Sequence, residues 1–144
     1  MRALTKQTVV AASVADVWKT WTTVEGVKSF FAPEAKIELR QGGAYEIYFD
    51  LEQPPGLRGS EGCKILKIEP EKQLVVSWNF PPHLSIRNER TEVAVAFEAI
   101  DARHTRVKLL QTGWRQGGDW EAGYAYFDRV WGVVMERLAQ RFSK

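Results

Sequence analysis

Few side chains in this sequence are of types that do chemistry, and their spacing narrows the options further. His83 follows Pro81-Pro82 in a loop and His104 falls in a tight turn, neither with a neighbouring His, Cys or carboxylate at metal-ligand spacing, so both read as surface loop histidines. Cys63 is the single cysteine, which excludes an intrachain disulfide and leaves no cysteine-based metal site. It shares strand parity with Ile65, as a small buried hydrophobe would, and no base stands nearby to make it a nucleophile. Gly113, Gly117 and Gly118 surround Trp114, but not at the spacing of a phosphate-binding loop. With no acid-base pair of the kind catalysis tunes, the chain offers no catalytic residue and no metal or cofactor site, and a binding role precedes an enzymatic one.

The polar groups of interest are those on apolar faces. Gln111 keeps the parity of Val107 and Leu109, so it points to the same side as they do, where it can hydrogen-bond a ligand or satisfy a buried protein group. Tyr45 and Tyr124 bring phenols to the same region, neutral donors given an ordinary pKa of ~10. Arg90 and Glu92 have the opposite parity and belong to solvent. Among six tryptophans, Trp18 and Trp21 anchor a strand-to-helix corner, whereas Trp78, Trp114, Trp120 and Trp131 converge on one space with Phe31, Phe49, Phe97 and Phe127. Such rings either fill that space or line a pocket holding a few polar groups. The expected cavity lining is Phe31, Tyr45, Ile47, Phe49, Trp78, Phe97, Gln111, Trp114, Trp120, Tyr124 and Phe127, with a small hydrophobic or aromatic molecule as ligand.

The elements that must position these residues follow from periodicity. Residues 119–142 carry Trp120, Tyr124, Phe127, Trp131, Val134, Leu138 and Phe142 every three or four positions, an amphipathic helix with a wide aromatic stripe. Its second half, from Val134, is expected to seal plain core, while Trp120, Tyr124 and Phe127 form one wall of a pocket. Residues 4–12 suit a strand, and Ser13 three residues before Asp16 opens a helix bearing Val17, Trp18 and Trp21. A second short helix over 24–31 is interrupted at Gly26 and ended by Pro33. From there the period becomes two: Ile37 and Leu39, a Gly42-Gly43 turn, then Tyr45, Ile47, Phe49 and Leu51. After Pro54-Pro55-Gly56, residues 59–69 form a strand, followed by Leu74, Val76, Trp78 and Phe80 on one face up to Pro81-Pro82. Val93, Val95 and Phe97 within 90–100, then Val107 and Leu109 within 105–111, make a last hairpin turned at 101–104. Hairpin-linked strands are antiparallel, and one apolar face per strand means one covered side, so the chain is α+β with a curved sheet around the C-terminal helix.

Composition agrees with a single domain over residues 1–144: 44% of the chain is hydrophobic, enough for one proper core. The 20 basic and 18 acidic residues, a formal net charge of +2, are scattered without a one-signed block, which argues against nucleic acid as partner. No apolar run approaches the ~18 residues of a membrane helix and no signal-peptide pattern begins the chain, so the expected setting is cytoplasmic. Edge strands leave monomer and homodimer both open.

The ordered motifs resemble a known superfamily. Val10, Ala12, Ser13, Val17 and Trp18; Gly42, Gly43 and Tyr45; Gly62, Cys63, Ile65, Ile68, Pro70, Leu74 and Trp78; Thr105, Val107 and Leu109; Gly113 and Trp114; and Trp131 with Gly132 match in order the helix-grip proteins that include START and Bet v-like domains. Within them the chain resembles the branch related to the activator of heat-shock-protein-90 ATPase. The resemblance implies a helix-grip fold of about six to seven strands with an apolar cavity between sheet and long helix. It implies three functional readings: a ligand carrier, a co-chaperone that binds a chaperone and modulates its ATPase, or a polyketide cyclase or dehydratase. Fold alone does not choose among them.

Overall fold

The computed structural model describes residues 2–143. Strand β1 (Leu4–Val10) leads into helices α1 (Val14–Thr22) and α2 (Val24–Lys28), followed by strands β2 (Glu34–Ile37), β3 (Tyr45–Tyr48), β4 (Ile65–Glu69), β5 (Gln73–Trp78), β6 (Thr91–Asp101) and β7 (His104–Thr112). Helix α3 (Asp119–Arg141) closes the chain. Ser13 caps α1 by accepting from the Asp16 N–H at 3.2 Å. Thr23 serves both short helices: its hydroxyl donates to the Lys19 carbonyl of α1 and accepts from the Gly26 N–H of α2. Gly26 lies within α2 rather than breaking it, because a Cβ there would sit 2.2 Å from the Lys19 carbonyl oxygen, so only glycine lets the two helices pack this closely.

Five strands form one antiparallel sheet in the order β1-β7-β6-β5-β4, and β2 pairs with β3. Isolated bridges from Ala44 to Lys64 and from Tyr48 to Gly59 join the two, so seven strands make one wall. The register aligns Leu74, Val95 and Leu109, and then Val76, Val93 and Gln111, on the inner face. All six are buried, as the alternation predicts. This is the helix-grip architecture expected from the sequence. Two stretches depart from alternation for local reasons. Past β2 the Arg40 N–H turns back onto the Glu38 carbonyl, leaving Leu39 exposed. Residues 59–64 are loop, since the Cys63 N–H closes a turn on the Ser60 carbonyl before β4 begins.

Helix α3 buries Phe127, Trp131, Val134, Met135 and Leu138 against that face. α1 adds Trp18, whose ring meets Phe97 edge-on at 5.2 Å. Near the start of α3, Gly123 sets the approach: a Cβ there would stand 2.7 Å from Cε1 of Phe80, a buried ring hemmed in by other rings. Gly132 has nothing within 4 Å of the same position. Replacing an open helical glycine with alanine stabilises by about 1 kcal/mol, whereas overpacking a core costs about 1–3 kcal/mol. Denaturant unfolding should therefore show Gly132→Ala stabilised and Gly123→Ala destabilised by about 1–3 kcal/mol; equal shifts of the same sign would refute the close approach.

Candidate ligand cleft

Between α3 and the sheet, aromatic rings occupy the space that the sequence leaves as either core or cavity. Phe31 stacks on Trp78 at 6.1 Å, Trp78 meets Trp131 at 5.2 Å, and Trp131 stacks on Phe127 at 5.9 Å. A second group surrounds Phe80, with Trp120 at 5.2 Å, Phe127 at 5.7 Å and Trp114 at 5.8 Å. Gln111, Tyr45 and Tyr124 all have protein partners, whereas the buried Trp21 Nε1 has none among the described residues. Gln111 donates to Thr91 Oγ1 at 2.9 Å and accepts from Trp131 Nε1 at 2.8 Å, while Trp114 Nε1 donates to the Gln111 carbonyl. The Tyr45 hydroxyl donates to the Trp21 carbonyl at 2.7 Å, and burial pushes its pKa upward. Tyr124 donates to the Ala3 carbonyl, with the Arg2 guanidinium over its ring.

The open space lies at the margin of this packing. A cleft of about 200 Å³ runs between the loop over residues 49–59, the Pro81-Pro82 turn and the Tyr126-Phe127 step of α3, floored by Trp78 and Phe80. Phe49 and Leu57, 43% and 39% exposed, are its outer apolar wall. Of the sequence-derived lining residues, Phe49, Trp78 and Phe127 reach it. Phe31, Tyr45, Ile47, Phe97 and Gln111 are buried in the core, and Trp114, Trp120 and Tyr124 pack around the start of α3. Phe31 and Phe49 also line a more open groove of about 460 Å³, beside Lys28 and Arg137. A depression on the outer sheet face, over Ala94, Ala96 and Leu110, has no aromatic wall. Sequence reasoning missed Phe80, Asn79, Arg58, Arg87 and Tyr126 as lining residues. Phe80 carried a usable signal, the parity of Leu74, Val76 and Trp78; the others sit off the stripe or in segments without period.

Comparison with known proteins is decisive at the level of family. The family model described as Activator of Hsp90 ATPase homolog 1-like protein matches residues 11–143. The chain belongs to this family. Solved structures share its fold: protein MLL2253 from Mesorhizobium loti is 18% identical with a TM-score of 0.77, over 97% of this chain and 96% of that one. The Aha1 dimer from Colwellia psychrerythraea, solved in solution, is 18% identical with a TM-score of 0.71, over 99% and 96%. CalU16 from Micromonospora echinospora is 20% identical with a TM-score of 0.71, over 96% and 73%. No curated protein sequence matches significantly.

In this member of the Activator of Hsp90 ATPase homolog 1-like family, the cleft rim is tied by one carboxylate. Glu61 accepts from the N–H groups of Gly56, Arg58 and Gly59 at 2.7–3.0 Å. Its fourth partner is Arg87, at 3.2 Å, which also donates to the carbonyls of Phe80 and Gly56. Burial is the largest single influence on Glu61 and would raise its pKa, but the backbone donors of Arg58, Gly59, Glu61 itself and Gly56 together hold it below the ordinary carboxylate range. Burial also pushes the Tyr126 phenol up, keeping it a neutral donor. Among the described residues, no group of three or more His, Cys, Asp or Glu could hold a metal, and no helix is long and apolar enough to cross a membrane.

Two measurements check this account. A carboxyl whose folded pKa is depressed contributes stability above its unfolded value, ~4.3 for Glu, and loses it as pH falls through the lower folded value. The Gly56 and Gly59 amide resonances should accordingly hold until pH drops below ~4.3 and then move together; a midpoint at or above that value would contradict the clamp. Gln111→Leu leaves the buried Trp131 N–H without an acceptor and removes the donor to Thr91 Oγ1, whose own hydroxyl still donates to the Trp78 carbonyl, so unfolding should reveal a loss of about 1–3 kcal/mol. A neutral outcome would mean that these bonds do not hold α3.

Proposed function

We propose that this domain binds a small apolar or aromatic molecule in the cleft between the 49–59 loop and α3, without catalysing a reaction on it. The observation that carries the reading is the outer wall: Phe49 and Leu57 stay exposed beside a floor of buried rings, Trp78, Phe80 and Phe127. Covering such a surface gains about 25 cal/mol per Å² of apolar area. Size narrows the ligand, because an apolar cavity of about 150 Å³ holds one benzene. A space of about 200 Å³ suits one substituted ring, or two with part of the second in solvent. A lipid tail or a folded polyketide chain needs more room. A cyclase would also need proton-handling groups, and Tyr45, Tyr124 and Gln111 are engaged with protein partners.

Trp78 in the floor supplies the readout. A naphthalene-sized ligand should quench tryptophan fluorescence and raise the melting temperature, by about 2.7 kcal/mol of stabilisation at a hundredfold excess over Kd. Leu57→Asp, a change in an exposed loop, should abolish both effects while leaving the free protein folded. If a panel of flat aromatics left fluorescence and melting unchanged, the proposal would fail. The family's description keeps a chaperone partner as the alternative reading, and an Hsp90 ATPase rate that responds equally to this chain and to Leu57→Asp, and is unaffected by added aromatics, would move function away from the cleft.

A further inference from the structure

We infer that the cleft selects an aromatic carboxylate over a neutral molecule of the same shape, its ring on Phe49 and Leu57 and its acid group on Arg58. The inference rests on the cleft being the binding site. Three ionised side chains line it, Asp50, Arg58 and Arg87. Arg87 is already satisfied: its guanidinium is only 11% exposed, ion-paired with Glu61 and bonded to two carbonyls. Asp50 turns Oδ1 to the Glu52 N–H at 3.1 Å. Arg58 differs from both. Its Nε donates to the Gln53 carbonyl at 2.7 Å, and its two terminal nitrogens make no hydrogen bond or ion pair with any described residue.

That arrangement suits a carboxylate in particular. The Nε bond ties the guanidinium to the loop, and the two terminal nitrogens present a planar fork whose spacing matches the two oxygens of an acid group. The apolar wall beside it takes a ring. At the buried end, Asn79 is 4% exposed; its Nδ2 donates to the Gly59 carbonyl, and its Oδ1 accepts no hydrogen bond from the described residues. An unfilled carbonyl oxygen repels an anion and welcomes a hydroxyl or N–H, so the acid group faces the rim. The Tyr126 hydroxyl, also on the lining, is a neutral donor with no protein partner among the described residues. Asp50 opposes the ligand charge without forming an ion pair with Arg58, so its removal should favour the acid.

Calorimetric titration with 2-naphthoate and its neutral isostere 2-naphthamide tests the inference. Wild type should bind the acid about tenfold more tightly than the amide, as expected for one charge-assisted contact. Arg58→Gln should erase that preference while keeping amide affinity, which also shows that the variant is folded. Arg58→Lys should restore part of the preference, and Asp50→Asn should enlarge it. Equal affinity of wild type for acid and amide, or an unchanged preference in Arg58→Gln, would overturn the charge selection and leave the cleft reading intact. Binding of neither probe would overturn both.

Discussion

Among the indole N–H groups buried in this core, that of Trp131 finds the acceptor around which the fold is arranged, while that of Trp21 has no partner among the described residues. Trp131 sits in the middle of α3 and reaches Gln111 on β7, which in turn holds Thr91 on β6. Apolar burial alone would let a helix slide or rotate on a sheet at little cost. These directional bonds do not, since each displaced donor would lose its partner inside a low-dielectric core. Once α3 is set in this register, Phe127 and Trp78 fall on either side of Trp131, and Phe80 fits beneath Gly123. The interior is thereby closed, and accessible space is displaced to the edge.

Periodicity was enough to read the architecture. The parity of Val93, Val95 and Phe97 on β6 and of Val107 and Leu109 on β7 specifies which face is covered, and the spacing from Trp120 to Leu138 specifies what covers it. Seven strands and three helices follow with boundary shifts of a few residues. Depth was not readable in the same way, because parity assigns a face but not a distance from solvent. Tyr45 and Phe49 share a face, yet one is sealed in the core and the other stands at the surface.

The candidate site was only partly legible for a related reason. Its floor comes from a strand and a helix, where Trp78 and Phe127 could be named in advance. Its rim comes from residues 49–61 and 81–89, which have no repeating pattern. What orders them is long-range: Glu61 meets Arg87 26 positions away, and the Ser85 N–H donates to Asp119 34 positions away. Hydrogen bonds of that separation leave no local trace in a sequence. The polar groups that parity did identify, Gln111 and Tyr45, are the ones that the core itself uses.

The cleft's rim and floor are also built differently in energetic terms. The floor is held by ring packing and loses nothing on ionisation, whereas the rim converges on a single carboxylate whose acceptor capacity is filled by backbone donors and Arg87. Phe80 belongs to both regions, at once the hub of the rings beneath α3 and part of the cleft floor. Its side chain therefore acts as a divider between surface hollow and protein interior. In a lineage where that position shrank, the hollow would deepen under the helix without any change of backbone, and chambers of quite different capacity could descend from one scaffold through a single codon.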